Sequence, residues 1–456
     1  MEKILGISSG FHDAAVAYVD SSGNILHASH SERYSKIKND PNIHSDQLFE
    51  HNRYAYYEKN WLKNTRRVLF GQSKVQPYCH GGSGSGTSYY HHQSHAAAGF
   101  YTSPFKDCDI LVIDSIGEWD TVSLWSGTTK TGYLGQKTPS MKKIKSWKYP
   151  YSLGLFYSAV TQRIGLKPNE DEYILMGMAA YGESIYDMSE LLYRNNHKGI
   201  GNYLPDARNE DLAASAQQLY EDTLLKIIDK HCKHKNLVLM GGCALNCSAN
   251  SKIQGKNIWI MPNPGDAGSA LGAAALALGK KLKWKDAYLG YNIERKLNPK
   301  DVARHLVSHS YCGVANGPAE FGPRALGNRS LLANPRRNIR DTVNRIKKRQ
   351  LFRPFAPAIL EEYAADYFKG PMNEYMQFVA TALHDYDSVT HVDGTARVQI
   401  VKSNSTSVLR PILEEFYELT GMPMLLNTSL NIKGKPIVND EADAIMFQTK
   451  YGVKVF

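Results

Sequence analysis

The chain has 456 residues, too many for one simple core, so two domains, or a large one with a smaller companion, are expected. It is 42% hydrophobic and 21% charged, an ordinary globular composition; with no run of about 18 apolar residues and no basic-then-apolar leader in MEKILGISSGFHD, it reads as a cytoplasmic chain without a secretory signal or membrane span. A formal net charge of +10 favours a polyanionic partner or a phosphorylated substrate, and six cysteines (Cys79, Cys108, Cys232, Cys243, Cys247 and Cys312) without a CxxC pair suggest neither a zinc knuckle nor a redox motif.

The opening ILGISSGFHDAAVAYVDSSGNILHASHSER reads as two strands around a turn at Ser21-Ser22-Gly23-Asn24. His12 and Asp13 follow a glycine at the end of the first strand. A histidine there serves as a general base or positions a substrate, or is a plain turn residue. GGSGSG (81–86) is expected to be a flexible lid or hinge ahead of a helix. In that helix, YYHHQSHAAAGFY, His91 and His95 are four apart and share a face, with His92 rotated off it. ILVIDSIGEWDTVSLWSGTTKTGYLG (110–135) repeats the opening layout. The repetition suggests a duplicated α/β unit of the actin and sugar-kinase type, with nucleotide in the cleft between its halves.

A third strand–turn–helix, NLVLMGGCALNCSANSKI, places Gly241 and Gly242 where backbone N–H groups can approach phosphate. IWIMPNPGDAGSALGAAALALGK follows, a strand and then an Ala/Gly-rich helix that can pack closely. Asp114 in LVIDS and Asp266 in PNPGDAG both sit at strand-to-turn points. Taken singly each is a turn or N-cap residue, and an H-x-x-x-H pair alone is an ordinary histidine pair. Together, two imidazoles and one or two carboxylates make an open N/O site for a divalent metal. Fe2+ fits the two-histidine, one-carboxylate pattern, with Zn2+ or Mn2+ as alternatives. The dense runs KHCKHK (230–235) and KKLKWK (280–285) are most simply solvated helix ends.

The pattern weakens over YLGYNIERKLNPK, and a boundary is expected near 296, giving domains 1–295 and 296–456. The second half carries AEFGPRALGNRSLLANPR and RQLFRPFAPAIL, with Arg324, Arg329, Arg336, Arg349 and Arg353 among Gly, Pro and Phe. Arginines so placed suit bidentate capture of phosphate or carboxylate. HVDGTARVQIV adds His391, Arg397 and Gln399, and PMLLNTSLNIKGKPI adds Asn427, Thr428, Ser429 and Asn431. A nucleic-acid-binding surface is the alternative, disfavoured by the scarcity of aromatic neighbours spaced for base stacking.

Taken together, GFHDAAVA, SERYSKIKND, HHQSHAA, IDSIGEWD, YSLGLFYSAVT, MGMAAYG, GGCALNCSAN, GDAGSALGAA, EFGPRALGNRSLLANPR, FRPFAPAIL, HVDGTARVQ and NTSLN resemble the NodU/CmcH/TobZ-type O-carbamoyltransferase family in order, from one end of the chain to the other. The resemblance implies an α/β actin-like ATPase domain followed by a smaller α+β YrdC-like domain. It implies a reaction in which the second domain makes carbamoyl-adenylate from carbamoyl phosphate and ATP with release of pyrophosphate. The first domain then passes the carbamoyl group to an acceptor hydroxyl, leaving AMP.

By the same resemblance, His91, His95, Asp114 and Asp266 match a metal site, and His12, with Asp13 beside it, a catalytic position. Gly241, Gly242 and Asn246 would meet the adenylate in the first domain. Arg324, Arg329, Arg353, His391, Arg397, Gln399, Asn427 and Ser429 would meet carbamoyl phosphate and ATP, with its Mg2+, in the second. Ile174 stands where members often carry lysine, Gln350 where glutamate is usual, and the chain looks shorter than typical members. Ile174 removes a charge that could touch phosphate. The acceptor reads as a sugar or natural-product hydroxyl, or a hydroxymethylated nucleotide or DNA base; a homodimer is compatible. The alternatives are a nucleic-acid-binding or tRNA-modification protein that keeps the scaffold without carbamoyl transfer, and a sugar kinase.

Overall fold

The computed structural model describes residues 2–10, 12–58, 87–132 and 137–456. The GGSGSG segment and Cys79 lie outside the described residues; the other five cysteines are free thiols. Among the described residues no helix is long and apolar enough to cross a membrane.

Two sheets of identical connectivity make up the first part. The first contains β1 (Lys3–Ser8), β2 (Ala15–Asp20), β3 (Ile25–His30), β4 (Arg53–Glu58) and β5 (Thr87–Tyr90), in the order β3-β2-β1-β4-β5. The second contains β6 (Asp107–Gly117), β7 (Asp120–Thr131), β8 (Lys137–Lys148), β9 (Asn236–Met240) and β10 (Asn257–Trp259), in the order β8-β7-β6-β9-β10. In each, the first three strands run antiparallel and the last two join parallel. This is the duplicated actin-like unit. Each repeat has one strand more than the sequence suggests. In the opening stretch Gly10 and Asp13 take positive φ values of 91° and 52° and fold one apolar run into β1 and β2. β8 is a lysine-rich edge strand without apolar alternation, so periodicity hides it.

Helices α1 (His91–Thr102) and α4 (Ser269–Leu278) pack on each other between the sheets, while α2 (Leu153–Arg163) and the long α3 (Asn209–His231) cover the outer face of the second sheet. The central pair approaches closely because α4 is rich in Ala and carries Gly272 at the crossing. A Cβ at Gly272 would lie 1.9 Å from the Ser94 carbonyl oxygen, so a larger residue there would push apart the helices that carry the site.

The second part has its own core, drawn from Ile293 to Val455. Its sheet, β12-β14-β20-β15-β19, contains β12 (Tyr311–Ala315), β14 (Arg329–Ala333), β15 (Ala356–Leu360), β19 (Gln399–Val401) and β20 (Met424–Ser429). Only the β15–β19 pair is parallel. Helices α5 (Pro299–His309) and α6 (Leu409–Thr420) pack on it. β16 (Phe368–Lys369), β17 (Ala380–Ala382) and β18 (Thr395–Ala396) form a small antiparallel sheet. β11 (Tyr288–Ile293) pairs with β13 (Gly317–Glu320), stitching the end of the first part to the second. Gln377 Nε2 donates to the Ile260 carbonyl at 3.0 Å, and Asn250 Nδ2 to the Gln377 carbonyl at 3.1 Å. These bonds fix the two parts around one cleft.

Candidate active site: a histidine–aspartate cluster and a guanidinium pocket

α1 presents His91 and His95 on one face, fully buried. Asp114 comes from β6, and Asp266 from the turn that starts α4, where its carbonyl accepts from Ser8 Oγ at 2.9 Å. The four converge. His91 Nε2 lies 2.7 Å from Asp114 Oδ2, His95 Nε2 lies 3.2 Å from Asp266 Oδ1, and the two Nε2 atoms are 3.1 Å apart. One ligand atom from each residue fits within a mutual span of 4.8 Å. Ligands held about 2.1 Å from one cation lie about 3.0–3.4 Å from each other, so this N2O2 set suits a divalent ion. Burial alone would hold His95 neutral, but Asp114 and Asp266 outweigh it and push its pKa up to about 9. His92 stands apart. Its Nδ1 bonds Ser123 Oγ at 2.8 Å, and burial, then His91, hold it far below the usual histidine value.

His12 sits at the edge of this cluster. Its Nδ1 is 2.8 Å from Asp13 Oδ2 and its Nε2 is 3.3 Å from Asp266 Oδ2, so one carboxylate orients the ring and another connects it to the metal-type set.

The cluster opens into a cleft of about 1080 Å³ lined from both parts of the chain. Arg324, Lys347, Arg349, Arg353 and Arg397 lie along the far wall. Among the described residues, none of the five is ion-paired with a carboxylate. Arg353 stacks over Tyr173 at 4.6 Å and Arg349 over Phe355 at 4.1 Å. Lys347 is held by Asn431 O and Oδ1, both at 2.9 Å, and by the Ser429 carbonyl. Burial, then Arg397, pulls the Arg324 pKa down to about 9; burial, then Arg349 and Arg353, pulls Lys347 well below the usual lysine value. Arg397 Nε is buried without a hydrogen-bond partner. Like charges held this close, with Asp171 the carboxylate that acts on Arg353, make a wall suited to an anionic ligand.

The "Carbamoyltransferase N-terminus" family model matches residues 84–203 and 196–275, and the "Carbamoyltransferase C-terminus" model matches residues 303–456. The chain belongs to the carbamoyltransferase family. Relatives include nodulation protein NolO of Bradyrhizobium diazoefficiens, 32% identical over 78% of this chain and 75% of that one. Nodulation protein NolNO of Sinorhizobium fredii is 33% identical over 78% of this chain and 60% of its own. An uncharacterized protein of Methanocaldococcus jannaschii is 29% identical over 97% of this chain and 96% of that one. Among solved structures, the activator of the 2-hydroxyisocaproyl-CoA dehydratase from Clostridium difficile with bound ADPNP covers 60% of this chain and 94% of its own, at 13% identity and a TM-score of 0.37. HypF of T. kodakarensis covers 61% of this chain and 47% of its own, at 11% identity and a TM-score of 0.34. Both values are too low to bear on the fold.

In this carbamoyltransferase the structure divides the remaining sequence candidates. Gly242, Asn246, His391, Asn427 and Ser429 line the cleft with Arg324, Arg353 and Arg397. Asn246 also pairs amide to amide with Gln217, both bonds 3.0 Å, and His391 Nε2 meets the Gly177 carbonyl at 2.8 Å. Three others do not line it. Gly241 makes the turn after β9 with φ 92°, where a Cβ would lie 2.1 Å from the Ile113 carbonyl oxygen. Gln399 donates to the Leu326 carbonyl at 2.8 Å and accepts from Asn427 Nδ2 at 2.7 Å. Arg329 is fully buried and directs its guanidinium to the carbonyls of Asn439, Asn316, Gly317, Asn328 and Tyr291 at 2.7–3.3 Å, bracing β14 against β11 and β13.

Arg349, named with the other second-half arginines as suited to anion capture, lines the cleft, and Lys347 is a cleft residue absent from the sequence candidates. The signal that could have found Lys347 is the run KKRQLFR, whose cations precede Arg353. Ile174 is buried and lines the cleft, whereas Gln350 does not line it and its Oε1 is buried without a hydrogen-bond partner.

Proposed function

We propose that the enzyme makes carbamoyl-adenylate from carbamoyl phosphate and ATP at the guanidinium wall and transfers the carbamoyl group to an acceptor hydroxyl near His12. The observation that carries this reading is the single cleft joining cations that make no ion pair among the described residues to the His91–His95–Asp114–Asp266 set. Carbamoyl phosphate, ATP and one water give carbamoyl-adenylate, pyrophosphate and inorganic phosphate. Arg324, Arg353 and Arg397, with Lys347 and Arg349, neutralise the phosphates, while Asn427 and Ser429 offer neutral polar contacts. On this reading residues 296–456 form a YrdC-like unit with its own core, and Gly242 and Asn246 of residues 1–295 hold the adenylate phosphate and ribose.

In the transfer step, Asp13 accepts from His12 Nδ1–H, leaving the lone pair on Nε2 to take the acceptor hydroxyl proton. The acceptor oxygen bonds to the carbamoyl carbon, the bond from that carbon to the adenylate oxygen breaks, and AMP leaves. A divalent cation held by His91, His95, Asp114 and Asp266 supplies Lewis-acid polarisation of the carbamoyl carbonyl or a phosphate oxygen; Fe2+ is the first candidate, then Zn2+ or Mn2+. An intermediate enclosed between the two walls is shielded from hydrolysis.

The acceptor class is a sugar or natural-product hydroxyl, or a hydroxymethylated nucleotide or DNA base. The test incubates the enzyme with ATP, Mg2+ and carbamoyl phosphate and measures AMP, pyrophosphate and, by mass spectrometry, one carbamoyl group gained by candidate acceptors. Carbamoyl-phosphate-dependent AMP is expected. ADP formation independent of carbamoyl phosphate would overturn the reading.

A further inference from the structure

β8 is an edge strand of the second sheet, and Lys142, Lys143, Lys145 and Lys148 on it are exposed. The end of α3 meets this edge. Lys145 Nζ lies 3.3 Å from His231 Nε2 and 4.6 Å from the Trp147 ring centre, and the His231 ring meets Trp147 edge-on at 5.2 Å. The segment KHCKHK (230–235) is thereby joined to β8, with Lys230, Lys233 and Lys235 exposed beside it. Lys256 adds a cation at its foot, donating to the Cys232 and His234 carbonyls at 2.8 and 2.7 Å.

The compensation is small. Lys143 pairs with Asp120 at 2.9 Å. Asp109 accepts from the His234 backbone N–H at 2.7 Å, and Asp229 also lies near the segment. Among the described residues no other lysine of this set is ion-paired. The His231 pKa is lowered by burial, then by Lys145, Lys230 and Lys233, which places those cations in one shared field.

Lysines on an exposed edge strand protect against edge-to-edge pairing. That accounts for β8 but not for three further lysines gathered from a different segment. The geometry also favours one kind of polyanion. Lys143 lies over Trp125 at 5.5 Å, whose core is on one side of the sheet, and Lys145 over Trp147, which packs on the core of the other side. The charges therefore flank a ridge rather than a plane, which suits a grooved polymer more than a bilayer.

We propose that the β8 edge and the 230–235 segment together form a docking surface for the phosphate backbone of a nucleic acid. Docking does not depend on the transfer chemistry. The test is fluorescence anisotropy with labelled duplex and single-stranded DNA of about 20 nucleotides, titrated with the whole protein across a salt series. Five neutralised phosphates predict roughly a 500-fold loss of duplex affinity between about 50 and about 200 mM salt. The K142E/K145E/K233E variant should bind at least about 10-fold more weakly at the lower salt, with a flatter salt slope. The K142Q/K145Q/K233Q variant, which removes charge without repulsion, should fall between. Unchanged thermal unfolding of both variants shows that the fold is retained, and unchanged carbamoyl-phosphate-dependent AMP formation tests the transfer reading separately. Wild-type protein that fails to bind either DNA at the lower salt, or variants that bind like wild type, would overturn the proposal. Tighter retention on phosphatidylserine-containing vesicles than on DNA would assign the surface to a membrane instead.

Discussion

Replacing Arg324 with methionine should stabilise the ligand-free enzyme and disable it. Burial and Arg397 pull the Arg324 guanidinium from its usual range down to about 9. Each pKa unit corresponds to about 1.4 kcal/mol, so holding this group charged costs about 5 kcal/mol before solvent is considered. Arg324 borders an open cleft, and water there reduces the cost to about 2 kcal/mol. The sign is definite. A base whose folded pKa is depressed lowers stability wherever it is charged in both states, and the penalty is relieved only as pH rises through about 9.

Arg324→Met should therefore raise the ligand-free unfolding midpoint by about 2–4 °C at pH 7, with the gap narrowing above about pH 9. On the proposed function the same substitution would remove charge-assisted hydrogen bonds to carbamoyl phosphate, each contributing about 1.5–3 kcal/mol, so kcat/KM for pyrophosphate release should fall about 10- to 150-fold. The assays are differential scanning fluorimetry in phosphate-free buffer and a coupled pyrophosphate assay. A variant that melts lower than wild type while keeping its KM for carbamoyl phosphate would show that the guanidinium wall is scaffolding and not a receptor.

His12→Asn should slow transfer to the acceptor by about 10²–10⁴-fold while leaving pyrophosphate release intact, because general-base catalysis contributes on that scale to the proton-transfer step alone; equal loss of both would place His12 elsewhere in the reaction. Asp266→Ala removes a carboxylate that contacts His12, His91 and His95. Elemental analysis of the purified variant should show bound divalent metal reduced from about one equivalent to a small fraction, since a catalytic-type site uses about three or four protein ligands. Arg329→Met should lower stability by about 3 kcal/mol or more without a specific effect on substrate KM, because it orphans buried carbonyls; chemical denaturation checks the first part and steady-state kinetics the second.

Much of the metal-type cluster was legible before folding. His91 and His95 are four apart in an Ala-rich stretch, and a helix must bring them to one face. Asp114 and Asp266 each follow an apolar run in the sequence, but Asp114 lies within β6 and Asp266 in the turn that starts α4, rather than at strand ends. Their convergence still needed α4 to lie against α1, which the small residue at Gly272 permits. The arginines were less transparent. Arg324 and Arg329 stand five apart in one motif with the same surroundings of Gly, Leu and Asn, yet one borders the cleft and the other braces backbone carbonyls. Residue type and spacing specify a donor; only the surrounding carbonyls determine what it donates to. β8 escaped notice because an exposed edge strand has no apolar period to display.

The repeated strand–turn–strand layout, the strand–turn–helix segments and the histidine pair are consequences of local pattern, since strand and helix periods and glycine turns act over a few residues. Tertiary structure alone decided which cations share a wall, and that the lysines of β8 meet a segment some 85 residues further along the chain. Such groupings depend on long-range packing, where burial and the distances between charges are set by elements with no proximity in sequence.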